Sequence, residues 1–277
     1  MIVFKNLCYA GKCEVGGRLG NNLFQIAATI SHAHDVQDEP IFNKWDYTDY
    51  FENPINDTLD TTFDFKFKGI NHELSSWTQF HYKPLPKNKN LLLNGFFQSE
   101  KYFKGNESLI LHYLKPKYKY IAFHELPKEH YLRQKDITGI HVRRGDYLEK
   151  SDYHSNMPKD YYSRSMEYIK KIHPAAKFVF FSDDIAWCKE NFGNNHFYSD
   201  ISADEKTKDI MDLYAMAYCT HHIMSASSYS WWGSWLNRLF WPENEQYQIV
   251  ISPLNWFGKL SNDNTQDLYL KKWIKMG

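Results

Sequence analysis

The sequence has no excess charge of either sign, since 33 basic and 33 acidic residues cancel over 277 positions. Such a balance argues against a nucleic-acid surface or a strongly anionic polymer as partner, so any positive potential must be local. Long apolar runs are missing as well, and none approaches the ~20 residues needed to cross a bilayer, so no transmembrane segment is expected. The opening Met1-Ile2-Val3-Phe4-Lys5 reads directly as strand, without the basic region, apolar segment or small-residue cleavage site of a signal peptide. Cysteine is scarce, and Cys8, Cys13, Cys188 and Cys219 show no CxxC spacing. Their scatter predicts reduced thiols and, with them, a cytoplasmic location. Metal-binding patterns are absent too. There is no Asp-x-Asp, His32 and His34 diverge on a predicted helix, and His221 and His222 diverge on a predicted strand. No metal and no cofactor are expected.

Aromatic residues, by contrast, make up 17% of the chain, with nine tryptophans and twenty tyrosines. Their faces pack against the C–H faces of sugars, and equally well in cores, so they only tilt the reading toward carbohydrate. The second half alternates strand and helix. Ile137–Val142, Lys177–Ser182, His196–Tyr198, His221–Ala226 and Tyr247–Ser252 read as strands. Between them, helices are expected from Lys159 to His173, from near Asp184, from Lys206 to Tyr218 and from Ser228 to Phe240. Repeated β-α-β units imply a parallel sheet covered by helices. The first half opens the same way, with a strand Ile2–Leu7, a helix from about Asn22 to Ala33, and a strand Leu91–Phe97 followed by a helix through Leu114. Residues 43–90 lack a clear period and suit a substrate-facing loop region. The stretch Lys115 to Arg133 is the expected boundary, giving domains 1–130 and 131–277.

Three constellations carry chemistry. His141-Val142-Arg143-Arg144-Gly145-Asp146-Tyr147 puts two arginines at the end of a strand, with Gly145 and Asp146 read as a turn. Open α/β sheets bind ligands outside strand carboxyl ends, and arginine grips phosphate oxygens bidentately. Paired arginines are more often plain surface charges, so this motif needs companions. Phe181-Ser182-Asp183-Asp184 closes the next strand with two carboxylates, one able to accept from guanine N1 and N2 and the other able to cap a helix. Ser225-Ala226-Ser227-Ser228 opens a helix, where hydroxyls and free N–H groups suit an anion. Trp231, Trp232 and Trp235 fit a core face better than a sugar platform. In the first half, Gly16-Gly17-Arg18-Leu19-Gly20 matches neither GxGxxG nor a phosphate-binding loop. It is a glycine turn feeding a helix, with Asn21 as its polar finger.

In this order, the Gly17–Asn21 turn, the arginine heptapeptide, the Phe181–Asp184 run and Ser227–Gly233 resemble the α-1,2-fucosyltransferases of glycosyltransferase family 11, bacterial type. The resemblance spans about residues 16–255. It implies an α/β, GT-B-like fold of two Rossmann-like domains facing across a cleft, the first on the acceptor side and the second binding GDP-fucose. It implies inverting, metal-independent transfer from GDP-β-L-fucose to the 2-hydroxyl of a β-galactoside, on a galactose-terminated oligosaccharide or glycolipid. By position, Arg143 and Arg144 would serve the pyrophosphate, Arg144 as the main catalytic residue. His141 and Asp183 would meet guanine, Ser227 and Ser228 would hold phosphate, and Asn21 would lie near the fucose. The general base stays open between Asp146, Glu149 and a leaving phosphate oxygen, because Asp146 could instead brace an arginine. Asn22 and Ala226 depart from the family pattern, which has glutamine and asparagine there. Transfer with α-1,6 linkage and non-catalytic sugar binding are the competing expectations.

Overall fold

The computed structural model describes residues 1–13, 17–59, 72–76, 81–202, 204–244, 246–261 and 264–277, the strand at 72–76 by its backbone. Gly16, part of the loop from Tyr9 to Val15, and residues 60–71 and 77–80 of the expected substrate-facing region lie outside this description. Two compact units emerge, Met1–Lys117 with Asp263–Leu270, and Tyr118–Asn262 with Lys271–Gly277.

The first unit begins with β1 (Ile2–Phe4), α1 (Leu19–Asp35), β2 (Pro40–Phe42), β3 (His72–Ser76), β4 (Leu91–Gly95) and α2 (Glu107–Tyr113). Its sheet is wholly parallel, in the order β2-β1-β4-β3. Ile2, Val3 and Phe4 of β1 and Leu91, Leu92 and Leu93 of β4 are buried, the continuous apolar pattern of strands covered on both faces. α1 is buried around nearly its whole circumference from Leu19 to Ala33, so polar Asn22, Gln25 and Thr29 must find partners inside. The expected strand Ile2–Leu7 stops at Phe4 because the Leu7 N–H donates to the Asn43 side chain instead of a ladder partner. β4 likewise ends two residues before the expected Phe97, where the backbone leaves extended geometry with φ of +50°.

The second unit contains β5 (Ile137–Val142), α3 (Gly145–Glu149), α4 (Lys159–Ile172), β6 (Lys177–Ser182), α5 (Ile185–Phe192), β7 (Phe197–Tyr198), α6 (Glu205–Tyr218), β8 (His221–Ile223), α7 (Ser228–Trp235), β9 (Val250–Pro253) and β10 (Ile274–Met276). All neighbours are parallel, in the order β10-β9-β8-β5-β6-β7. The chain therefore winds outward from β5 through β6 to β7, then crosses back to β8 on the other side of β5. That reversal makes a topological switch point between β5 and β8. α4 lays Tyr161, Tyr162, Met166 and Ile169 against the sheet, a stripe at helical spacing, and they share a core with Ile140, Phe178, Phe180 and Ile223. Emptying one such site, as in Phe180→Ala, would cost about 3–5 kcal/mol.

Two expectations are corrected here. Gly145 and Asp146 open the short helix α3 rather than forming a strand-ending turn, with Arg144 at its N-cap. Cys8 and Cys13 form a disulfide with Cα atoms 4.5 Å apart, so not all four thiols are reduced. A tight turn, in which Tyr9 and Lys12 exchange backbone hydrogen bonds, brings the pair together across five residues. The scatter argument for a reducing compartment thereby loses its basis. Cys188 and Cys219 are free and buried, and burial raises both thiols, Cys188 to about 11.

Candidate active site

In the second unit, β5 and β8 end on either side of the switch point, and the expected site residues follow directly from them. Beyond Val142 come Arg143 and Arg144, each about 17–18% exposed. Guanidinium groups this far out of water need carboxylate partners, and three aspartates supply them. Arg143 places one terminal nitrogen on Asp183 Oδ2 at 2.7 Å and the other on Asp146 Oδ1, with its guanidinium 5.4 Å from the Tyr147 ring centre. Arg144 donates its backbone N–H to Asp183 Oδ1 at 2.9 Å and its Nε–H to Asp184 Oδ2 at 3.1 Å. Its guanidinium lies 4.1 Å from the Trp187 ring centre, a cation–π distance. The two arginines thus differ. Both terminal nitrogens of Arg143 are held by carboxylates, whereas those of Arg144 make no hydrogen bond among the described residues.

Asp184 links this cluster to the fold, since its Oδ1 accepts from the Trp187 N–H at 3.0 Å and caps α5. One residue therefore fixes both the edge and the ring that hold Arg144. Gly145 is needed for space, because a Cβ there would lie 2.6 Å from Asp183 Oδ2. His141 is buried at the end of β5, and burial, reinforced by the Arg143 charge, pushes its pKa down to about 3. The ring is neutral at physiological pH, with Nδ1 hydrogen-bonded to Ser225 Oγ at 2.6 Å. Ser227 caps α7 by accepting the Tyr229 N–H, and Ser228 is the first residue of that helix. Trp231, Trp232 and Trp235 are core residues, all at most 1% exposed. Glu149 ends α3 and no ion pair of its side chain is found among the described residues.

Asn21 belongs to the first unit, in the opening turn of α1. Its Oδ1 accepts from Gln98 Nε2 at 2.8 Å. The next residue, Asn22, is fully buried and saturated. Its Oδ1 accepts from the Cys8 N–H and from Trp45 Nε1, and its Nδ2 donates to the Gly17 carbonyl and to Gln25 Oε1. The departure from glutamine at this position thus ties the disulfide turn, Trp45 and the glycine turn to α1. Sequence reading missed Trp187 and Gln98, and it named Ser225 only as part of the helix-opening run, not as the partner of His141. Trp187 stands three residues beyond a capping aspartate, and Gln98 follows a strand's carboxyl end, so both carried a positional signal. Among the described residues, no three His, Cys, Asp or Glu side chains converge to form a metal-binding group, and no helix is long and apolar enough to cross a membrane.

Comparison with known proteins adds the family. Residues 11–277 match the family described as glycosyl transferase family 11. The O-antigen biosynthesis glycosyltransferase WbnK of Escherichia coli is 33% identical over 51% of this chain and 45% of its own length. An α-1,2-colitosyltransferase of E. coli is 31% identical over 66% of this chain and 61% of its own. A galactoside 2-α-L-fucosyltransferase of Caenorhabditis elegans is 26% identical over 79% and 67%. The chain thus spans about half to two thirds of the length of these relatives. Among solved structures, fucosyltransferase NodZ from Bradyrhizobium aligns with TM-score 0.52 and 15% identity over 84% of this chain and 91% of that one. POFUT1 in complex with GDP aligns with TM-score 0.51 and 11% identity over 86% and 94%. These likenesses give the fold, which is GT-B-like.

Proposed function

Because this chain belongs to glycosyl transferase family 11, we propose that it moves L-fucose from GDP-β-L-fucose to the 2-hydroxyl of a β-galactoside, with inversion and without a metal. The observation that carries this reading is Arg144, held by Asp184 and Trp187 at the switch point, with both terminal nitrogens making no hydrogen bond among the described residues. Support comes from the relatives named for α-1,2 transfer of fucose and colitose, and from the POFUT1 neighbour's complex with GDP.

In the reaction, the acceptor oxygen bonds to the anomeric carbon as that carbon's bond to the phosphate oxygen breaks. The electron pair leaves on GDP, and the acceptor proton passes to a base or to the leaving phosphate. Negative charge therefore grows on the diphosphate, and a donor fixed in advance at that point contributes about 3–4 kcal/mol. Arg144 is that donor. Arg143, clamped by Asp146 and Asp183, adds fixed positive charge, with Asp146 as its brace. The Ser227–Ser228 start of α7 offers helix N–H groups to phosphate. Neutral His141 meets the guanine base, and Asp183 offers it the lone pairs that the arginines leave over. Asn21 serves the fucosyl group. The acceptor is a galactose-terminated oligosaccharide or glycolipid.

A second donor, activated colitose, is favoured by the E. coli colitosyltransferase relative. The test is to incubate the protein in EDTA with GDP-fucose or its colitose counterpart and a panel of β-galactosides, then to follow GDP release and determine linkage by NMR. An α-1,2-fucosylated product is expected. Transfer from the colitose donor alone would move the reading to that sugar, an α-1,6 product would reject the linkage, and neither GDP binding nor release would reject the whole.

A further inference from the structure

Exposed apolar side chains of the second unit collect at one edge of its sheet. Leu148, Tyr153, Leu254 and Leu260 are 46, 60, 53 and 61% exposed, and all four lie on segments that leave the carboxyl ends of β5 and β9. Only Ile172, which ends α4, and Tyr247, which leads into β9, stand exposed at the opposite edge among the described residues. The two carboxyl-edge segments are stitched together. The N–H groups of Tyr153 and His154 both donate to the Lys150 carbonyl, closing the turn after α3. The Gly258 N–H donates to the Tyr153 carbonyl at 2.9 Å and the Leu260 N–H to the Asp152 carbonyl at 3.0 Å, while His154 and Phe257 form an antiparallel bridge. Glycine is required at 258, because a Cβ there would lie 2.3 Å from the Asp152 carbonyl oxygen. The His154 ring stacks on Tyr147 of α3 with 4.3 Å between ring centres. Single exposed leucines are ordinary, whereas several on one hydrogen-bonded edge mark an interaction surface.

The neighbouring residues select the partner. Protein-binding patches favour Trp, Met and Arg and are poor in Lys. Here the apolar side chains alternate with exposed Lys150 and Lys259, which form no ion pair among the described residues. Leucine and tyrosine beside lysine, whose stem covers apolar surface while its ammonium stays in water, is the composition of a membrane-interface site. Glu149 and Asp152 offset the two lysines, so apolar contact rather than net charge has to supply the binding. We propose that this edge docks on a lipid surface, with Leu148, Tyr153, Leu254 and Leu260 entering the headgroup layer, and that the acceptor is a glycolipid carried in that surface. Continuity with the arginine cluster supports this, since α3 begins at the residue after Arg144. The choice of acceptor rests on the fucosyl-transfer reading above and deepens it, whereas the docking stands on the surface itself.

The test is co-sedimentation of the whole chain with phosphatidylcholine vesicles, with and without phosphatidylglycerol. The wild type is expected to pellet with both, and the anionic lipid to change binding by less than about 3-fold, because the edge carries no net charge. Combining Leu254→Ser with Leu260→Ser should weaken binding about 10-fold or more, since burying the exposed half of two leucines is worth at least that factor. Combining Ile172→Ser with Tyr247→Ser, at the opposite edge, should leave it unchanged. In transfer, the leucine double variant should raise the apparent KM for a β-galactosyl glycolipid in vesicles about 10-fold and keep the wild-type kcat/KM for a soluble β-galactoside, a split that misfolding would not give. Failure of the wild type to pellet, equal losses from the two double variants, or a lipid-free dimer that the leucine variant disperses would overturn the docking. An unchanged KM for the vesicle-borne glycolipid would overturn the choice of acceptor. A wild type that pellets yet transfers to neither acceptor overturns the reaction reading, and the acceptor with it, while the docking stands.

Discussion

The polar centre of the second unit is built from ions, and that of the first from neutral amides. Arg143 and Arg144 are drawn out of water against Asp146, Asp183 and Asp184, a cluster whose charges stay strong because solvent screens them little. Asn21, Asn22, Gln25 and Gln98 make a net of uncharged hydrogen bonds under α1. Charge can stabilise a leaving group at a distance, whereas an amide acts only through contact and direction. The difference teaches that the first centre should fail by losing orientation or stability, and the second by losing chemistry while the fold stands.

The sharpest break is Arg144→Ala, which removes the strand-end guanidinium whose terminal nitrogens make no hydrogen bond among the described residues. Transfer is expected to fall by about 10³-fold in kcat with an unchanged circular dichroism spectrum. Asp146→Asn comes next. If Asp146 braces Arg143, kcat/KM falls about tenfold and the pH profile keeps its shape; loss of the acidic limb would instead make Asp146 the base.

Acid should separate the units further. In the second unit burial lowers His141 and His222 to about 3 and His221 to about 4. Their folded pKa values lie below the unfolded value of about 6.5, so on acidification the unfolded chain takes up protons first. Stability is complete above that pH and is lost as pH falls from there toward 3, by about 2 kcal/mol per histidine at pH 5. Hydrogen exchange at pH 5 and pH 7 should therefore show the second unit opening before the first. The smallest effect is Asn22→Ala, which orphans the Trp45 and Cys8 donors. It is expected to cost about 2 kcal/mol, read as a melting temperature lower by roughly 4–8 °C, with Kd for GDP unchanged.

How much of this was legible beforehand follows the same division. β5 and β6 were read to the residue because they are continuous apolar runs, and the arginine heptapeptide was read because three companion motifs stand with it along the chain. The short strands Pro40–Phe42 and Ile274–Met276 were missed, since three residues carry no period. β8 proved shorter than expected because Met224 to Ser227 bend away to start α7. Whereas the Asp146 brace on Arg143 is three residues away and was foreseen as an alternative, the grip of Asp183 and Asp184 on Arg144 joins residues 39 and 40 apart, and the Asn21–Gln98 bond joins residues 77 apart. Local pattern does not encode such pairs. The disulfide was misjudged because spacing was weighed over the whole chain, while a five-residue turn decided it.

The segment Asp263–Leu270 also bears on how the protein can be divided. Asp267 accepts from the Tyr82 N–H and from Lys101 Nζ, and its carbonyl accepts from Ser99 Oγ, next to Gln98. The chain passes from one unit to the other three times, so neither unit is a contiguous stretch. A fragment ending at Lys117 would lack the clasp behind the Phe97–Ser99 turn. Exchange of halves between relatives must therefore carry this late segment along with the early one.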